Sequence, residues 1–472
     1  MRRTRAKKSV QCSAVAPGRA RQADVLQRSL AWIINDEMFA ELSPHGNTKW
    51  SAVPFVFLAV LWVWSDKSTL TGAFSEAVQL SVGMFGQPAL ASYPGFTSAL
   101  VTWSHRLMPE IWQRLQKLMQ EVGRSHWRIG DWLPLAVDGS RVSTPRSRSN
   151  EDAFSIKNYG RGKRAKSRSK WRNKKRRSKP LSESVKPQIW LTLIWHMGLK
   201  MPWCWKTGPS TSSEREHFLH LVKTVIFPEK TLFCCDAGFV GYELWKALIG
   251  QGHHFVIRVG GNIRLLRGLG HARSGPGVVF LWPDAVAKKK QQPLVLRLLE
   301  FQGPRGRVYL VTNVLSTNDL TLAQAKELYK LRWGVELQFR GLKQTFGRGK
   351  LRSRSASCGL VELEWSLIGL WSIQLFAVKE QLAVESPPAN TSLAMALGVI
   401  QNAMRNWTVE VTSLHELSDR LREAVKDSYH RTSSKEARYK PNYKDQPSPT
   451  KPEIVTASAR QKKNYQALAL SA

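Results

Sequence analysis

Leu133-Pro-Leu-Ala-Val-Asp138-Gly-Ser-Arg141 and Leu232-Phe-Cys-Cys-Asp236-Ala-Gly-Phe-Val240 share one pattern. In each, a short unbroken apolar run ends in an aspartate, with a glycine close behind. Such a run reads as a strand buried on both faces, and the aspartate falls where that strand leaves the sheet. Ligand-binding and catalytic groups of open α/β sheets gather at these carboxyl ends. Taken singly, each aspartate also fits an ordinary turn ahead of glycine, since Asp-Gly is a common turn pair.

A third carboxylate comes from Tyr329-Lys-Leu-Arg332-Trp-Gly-Val-Glu336-Leu-Gln-Phe-Arg-Gly-Leu-Lys343. At ~100° per helical residue, Arg332 falls near ~300° from Tyr329, Glu336 near ~340° and Lys343 near ~320°. All four then share one narrow face. Leu328, Leu331, Val335, Phe339 and Leu342 supply an apolar stripe beside it, and Asp319 or Thr321 can cap the start. A helix of mixed charge that merely shows Lys, Arg and Glu to water fits this spacing as well. The two aspartates upstream, in matching contexts, tip the balance toward a constellation.

These residues resemble the DDE transposases of bacterial insertion sequences, in the branch typified by insertion sequence 4. That branch is marked by Tyr-x2-Arg-x3-Glu-x6-Lys, which Tyr329, Arg332, Glu336 and Lys343 reproduce without a gap. Asp138, in Val-Asp-Gly, and Asp236, in Asp-x-Gly-Phe, match the family's first and second catalytic aspartates. The resemblance covers about residues 130–355. It implies an α/β fold: a ribonuclease H-like core with a β-rich insertion, here at about 250–305, between the second Asp and the Glu. It further implies metal-dependent cleavage at the ends of a mobile element and strand transfer into target DNA.

Phosphodiester cleavage needs an activated nucleophile and a stabilised leaving oxygen, which two Mg²⁺ ions supply from either side of the phosphorus. The resemblance makes Asp138, Asp236 and Glu336 catalytic and metal-binding, with Asp138 shared by both ions, Asp236 on one and Glu336 on the other. Mn²⁺ is expected to substitute. Arg332 and Lys343 are expected to bind phosphates near the scissile bond, the first in bidentate fashion and the second as a point charge. Tyr329 is expected to hydrogen-bond the same strand. The implied partners are the element's terminal inverted repeats and target DNA, held by a homodimer. A nuclease of the same core without strand transfer, and a non-catalytic DNA-binding derivative, are the rival readings.

Charge agrees with a polyanionic partner. Lys and Arg number 71 against 35 acidic residues, a formal charge of +36 with a pI near 10.4. Neutralised phosphates release counterions and so drive binding. The densest basic run, 161–179, contains Arg161, Lys163, Arg164, Lys174, Lys175, Arg176 and Arg177. Like charges this close must be solvated or phosphate-paired, which suits a clamp on the DNA backbone or a loop with no fixed role.

The rest of the chain falls into zones. Residues 1–22 form a basic, disordered arm, and 23–126 a helical domain that the resemblance assigns to DNA recognition. The catalytic domain takes 127–358, a helical region 359–430 and a polar, mobile tail 431–472. Strands are expected at 189–195, 203–205, 254–259, 278–282, 293–299 and 307–313, with helices at 213–226, 243–248, 361–379 and 391–404. Trp62, Trp64 and Trp112 read as core. Trp282 lies where the family's insertion stacks an aromatic on a flipped base, although a buried ring fits it too.

No apolar run is read as reaching the roughly 18 to 20 residues of a membrane span, and 53–64 reads as a buried helix. The basic start lacks the apolar stretch of a secretory signal. Cys12, Cys204, Cys234, Cys235 and Cys358 form neither a Cys-x-x-Cys pair nor a zinc spacing with His. A reduced, cytoplasmic, nucleoid-associated protein is expected.

Overall fold

A computed structural model of the protein describes residues 20–42, 50–155, 186–270, 277–303, 306–427 and 450–470. The basic run 161–179, with Arg161, Lys163, Arg164, Lys174, Lys175, Arg176 and Arg177, lies outside them, as do most of the N-terminal arm and part of the tail.

The chain opens with helices α1 (Gln22–Ile33), α2 (Ala52–Trp64), α3 (Leu70–Phe85) and α4 (Tyr93–Val122). Helix α2 is apolar all round, so it can only be a core helix, and its residues from Phe55 to Trp64 are buried. Thr69 caps α3 by accepting from the Gly72 amide, and Gly86 ends it at φ 75°, a left-handed value suited to glycine. Trp62 and Trp64 are buried, and Trp112 packs against Trp205 at 4.8 Å between ring centroids.

The middle of the chain alternates strands and helices: β1 (Leu133–Ser143), α5 (Arg148–Phe154), β2 (Gln188–His196), β3 (Met201–Gly208), α6 (Glu214–Thr224), β4 (Thr231–Cys235) and α7 (Tyr242–Gly250). Next come β5 (His254–Val259), β6 (Arg264–Arg267), β7 (Val278–Leu281), α8 (Asp284–Lys288), β8 (Leu294–Gly303) and β9 (Gly306–Thr312). Then follow α9 (Leu322–Leu331), α10 (Gly334–Arg340), α11 (Ala356–Leu382), α12 (Leu393–Arg405), α13 (Glu416–Arg422), β10 (Glu453–Thr456) and α14 (Ala459–Leu470).

Among the described residues the strands make one ten-stranded sheet, in the order β10-β6-β7-β8-β9-β5-β4-β1-β2-β3. Strands β1, β2 and β3 form an antiparallel meander, whereas β4 runs parallel to β1 and β5 parallel to β4. Parallel neighbours need crossovers, and α6 and α7 provide them. Adjacent Cys234 and Cys235 point to opposite faces of β4 and both are fully buried, so the sheet is covered on both sides here. Strands β6 to β9 extend this same sheet from the β5 edge.

Four expectations change. Strand β1 does not end at Asp138: it stays paired with β2 as far as Ser143 with Gln188, and only its pairing with β4 stops short. Residues 450–470, expected to be mobile, supply β10 on the sheet edge beside β6 and the following α14. Helix α11 is long and apolar enough to cross a membrane by length and composition, although most of it is buried inside the protein. Its Trp365 indole N–H donates to Ser104 and the Trp64 indole to the Gly369 carbonyl, both at 2.8 Å, so it packs with the N-terminal helices.

The stretch 329–343 is also not one uniform helix. Thr321 and Gln324 close a capping box at its start. Beyond Leu331 the amides of Trp333, Val335 and Glu336 bond only three residues back, at 3.4, 3.1 and 3.2 Å. Gly341–Thr345 then widens into a π turn, closed by Phe346 N–H to the Gly341 carbonyl at 3.0 Å. The 100° projection therefore fails over this length. Close packing accounts for the first distortion: a Cβ on Gly334 would lie 2.2 Å from the Trp195 ring, so only glycine lets α10 approach β2 this closely.

Candidate active site

The parallel register pairs Leu133 with Thr231 and Ala136 with Cys234. Continued two residues further, it sets Asp138 beside Asp236. Strand β4 stops at Cys235, and Asp236 turns the chain out of the sheet, its carboxylate accepting from the Gly238 amide at 2.8 Å. Asp138 accepts from the Gly139 amide at 2.9 Å. The two aspartates thus come to neighbouring positions, although only Asp236 lies where its strand ends.

Glu336 is exposed in the first turn of α10, a helix that packs against β1. The charges of Asp236 and Glu336 both act on Asp138. The Asp138 carboxyl is pushed up to about 6, first by burial and then by these two neighbours, against the pull of the Gly139 amide and Arg332. Asp138 therefore feels the charge of two carboxylates from distant segments, in the middle of the sheet.

The flanking cations and phenol are placed unequally. Arg332 is only 3% exposed, with its guanidinium 4.7 Å from the Trp333 ring centroid and 5.4 Å from that of Tyr329. Its Nε has no hydrogen-bond partner, an unusual state for a buried guanidinium. The Tyr329 hydroxyl is buried without a well-aligned partner too, and burial raises its pKa while Arg332 and Arg258 oppose the rise. Lys343 reaches β1, where its Nζ donates to Ser140 Oγ at 2.6 Å. Past the π turn, Leu351 N–H donates to the Ser143 carbonyl and Ser143 N–H to the Gly349 carbonyl, tying this segment to the end of β1.

Two features were not anticipated from sequence. Glu214 opens α6, and its carboxylate lies between the glycines that follow the two aspartates. A Cβ on Gly139 would fall 2.5 Å from Glu214 Oε1, and one on Gly238 would fall 3.8 Å from Oε2. Its carboxyl is pushed up to about 7 by burial and by the charges of Asp138 and Asp236, with Arg141 opposing. A glutamate in a first helical turn is ordinary, so its sequence context carried no signal. Trp333 and Leu337, 51% and 54% exposed, form the other feature, an apolar pair flanking Glu336. Trp282, by contrast, is buried and its indole donates to the Gln291 carbonyl at 2.9 Å, so no base can stack on it here.

Among the described residues no three His, Cys, Asp or Glu side chains stand close enough to hold one ion as they are, so gathering a ligand set requires side-chain movement. The donors themselves suit a hard divalent cation. They are carboxylate oxygens, partly desolvated and facing like charge, and a bound cation relieves both penalties.

A pH prediction follows. A carboxyl whose folded pKa is raised contributes stability below its unfolded pKa of about 4, and that contribution is lost as pH rises through about 6. In EDTA, Asp138→Asn should therefore melt increasingly above the unchanged protein between pH 5 and 8, by a few degrees at the upper end. Buried histidines such as His196, whose pKa is lowered to about 3, act in the opposite sense but equally in both proteins. A melting difference that does not vary with pH would contradict the burial of Asp138.

The comparisons with known proteins fall on this same segment. Residues 133–357 match the family model described as the transposase DDE domain. Over 176 residues the chain is 30% identical to the transposase InsG for insertion sequence element IS4 of Escherichia coli (strain K12). That alignment covers 36% of this chain and 38% of the relative, so the chain spans well under half the length of the curated relative it matches. Among solved structures, a piggyBac transposase synaptic complex with hairpin DNA matches at TM-score 0.41 and 14% identity, over 86% of this chain and 87% of that one. That likeness is too slight to bear on the site.

Proposed function

We propose that this protein is a DNA transposase, cleaving DNA at the ends of a mobile element and joining those ends to target DNA through a ribonuclease H-like core. The observation that carries the reading is the parallel register of β1 with β4, which brings Asp138 and Asp236 to neighbouring positions, and the charge of Glu336, about 100 residues further on, acts on Asp138 as well. The meander β1-β2-β3 continued by parallel β4 and β5 supports the core assignment. The likeness of residues 133–357 to the transposase DDE domain and the formal charge of +36 support the reaction and the polyanionic partner.

Asp138, Asp236 and Glu336 are the residues that would hold Mg²⁺ or Mn²⁺. Divalent cations bound there supply the charge that activates the attacking oxygen and stabilises the leaving one. Asp138, central between the other two, is the residue to be shared. Arg332 offers a buried guanidinium with one N–H unspent, suited to a phosphate oxygen that displaces water. Lys343, drawn onto β1 by Ser140, presents a point charge two strand positions from Asp138. The exposed Trp333 and Leu337 give the DNA an apolar surface beside Glu336. The partners are the element's terminal inverted repeats and target DNA, bound by a dimer in the cytoplasm at the nucleoid, and the N-terminal helices recognise the repeats.

The deciding experiment incubates the purified full chain with DNA carrying the sequences that flank its reading frame, with Mg²⁺ or with EDTA. Metal-dependent nicks at the repeat ends, followed by joining to a target plasmid, are expected. Cleavage without joining would assign a nuclease instead, and binding without cleavage would assign a non-catalytic derivative. Lys343→Ala should weaken binding of those ends roughly tenfold, as for loss of a charged hydrogen bond, and reduce joining in proportion. Unchanged end binding in a filter or gel-shift assay would remove Lys343 from the DNA surface.

A further inference from the structure

Glu214 is a carboxylate at this site that the Asp-Asp-Glu set leaves unused. It comes from a fourth segment, the crossover helix between β3 and β4, and opens that helix at the level of the two aspartates. Room for it is made by the glycines behind Asp138 and Asp236: any side chain at Gly139 would strike its carboxylate, and Gly238 lies on its other side. Among the described residues its carboxylate makes no hydrogen bond and no ion pair within 4.0 Å, and the charges acting on it are Asp138, Asp236 and the cation Arg141. A partly buried carboxylate aimed at two others is costly unless a cation joins them. The buried Arg332, with its Nε unpartnered, acts on the same Asp138 and points independently to an anionic ligand here, such as the phosphate that a bound cation would accompany.

We propose that Glu214 is a fourth carboxylate of the site, sharing with Asp138 and Asp236 the divalent cation on the side away from Glu336. The inference rests on the metal-bearing site proposed above. The set is then asymmetric: Asp138 is central, Glu336 serves one side from α10, and Glu214 serves the other from α6. The helix that carries it is packed against β2 and β3.

The test is Mn²⁺ binding by the full-length, DNA-free protein, measured by calorimetry and by the electron paramagnetic resonance of bound Mn²⁺. Glu214→Gln should weaken binding about ten- to a hundredfold, the range for groups that hold or orient a metal's ligands. Glu214→Asp should retain part of the affinity, and Glu216→Gln, exposed one turn position away, should change nothing. Melting of the metal-free variants reports folding, and if Glu214→Gln does not fold, Glu214→Asp against the unchanged protein carries the comparison. Native Mn²⁺ affinity in the Glu214 variants, with binding lost in Asp138→Asn, overturns the role of Glu214 alone. Native affinity in Asp138→Asn as well overturns the metal site itself, and this inference with it.

Discussion

Asp138→Asn is expected to abolish Mg²⁺-dependent strand cleavage, by on the order of 10³-fold or more, and to leave DNA binding within a few-fold of the unchanged protein. The magnitude follows from the chemistry: cations at such a site contribute several kcal/mol of transition-state charge stabilisation, and each 1.4 kcal/mol is about tenfold in rate. Asn keeps the shape and the hydrogen bond from the Gly139 amide but cannot complete an anionic ligand set. Asp236→Asn and Glu336→Gln should match it. The same change removes a desolvated charge facing Asp236 and Glu336, so the inactive protein should be the more stable one at pH 8. Single-turnover cleavage of end-labelled DNA, read beside a gel shift, checks both halves. Undiminished cleavage by Glu336→Gln would end the catalytic assignment, whereas loss of DNA binding in step with cleavage would mean that the carboxylates act on folding.

The second large effect lies outside the charged residues. Gly334→Ala places a Cβ 2.2 Å from the buried Trp195 ring, where neither the helix backbone nor the sheet can yield cheaply. Overpacking of this kind costs about 1–3 kcal/mol. More tellingly, α10 must move off β2, and Glu336 sits two residues along it. A displacement of about 1 Å at a reacting group can lower turnover about 100-fold. Cleavage should therefore fall by about that factor in a protein that still folds. Trp195→Leu in the same chain removes the colliding ring atoms and should restore part of both stability and rate. A Gly334→Ala protein of full activity would show that the helix–sheet distance does not set the position of Glu336.

What could be read from sequence divides along physical lines. The strands before Asp138 and Asp236 were legible because a strand covered on both faces must be apolar at every position, as Cys234 and Cys235 show. Strand β5 was read to the residue, and β7, β8 and β9 to within a few, because turn residues bound them. Strand β6 was missed: Arg264-Leu-Leu-Arg267 is too short for any period to register. So was β10, Glu453-Ile-Val-Thr456, whose partner lies nearly 190 residues upstream. Within the site, residue types marked Asp138, Asp236 and Glu336, but the break in the helix carrying Glu336 was invisible. It lies beside Gly334, a weak helix former whose packing partner Trp195 is about 140 residues upstream and so cannot be read from the local sequence. Glu214 escaped for a related reason. Its role depends on which glycines it fits between, and that is decided by strand register rather than by its neighbours in the chain.

Strand β10 bears on the life of the protein before the site ever forms. Until it docks, β6 leaves a row of unpaired amides and carbonyls at the rim of the sheet, a template on which a second nascent molecule can add. The segment that closes that rim lies nearly 190 residues further along the chain, so it is synthesised well after β6. Arg264 and Arg267, exposed at the two ends of β6, carry charge that discourages the approach of another chain.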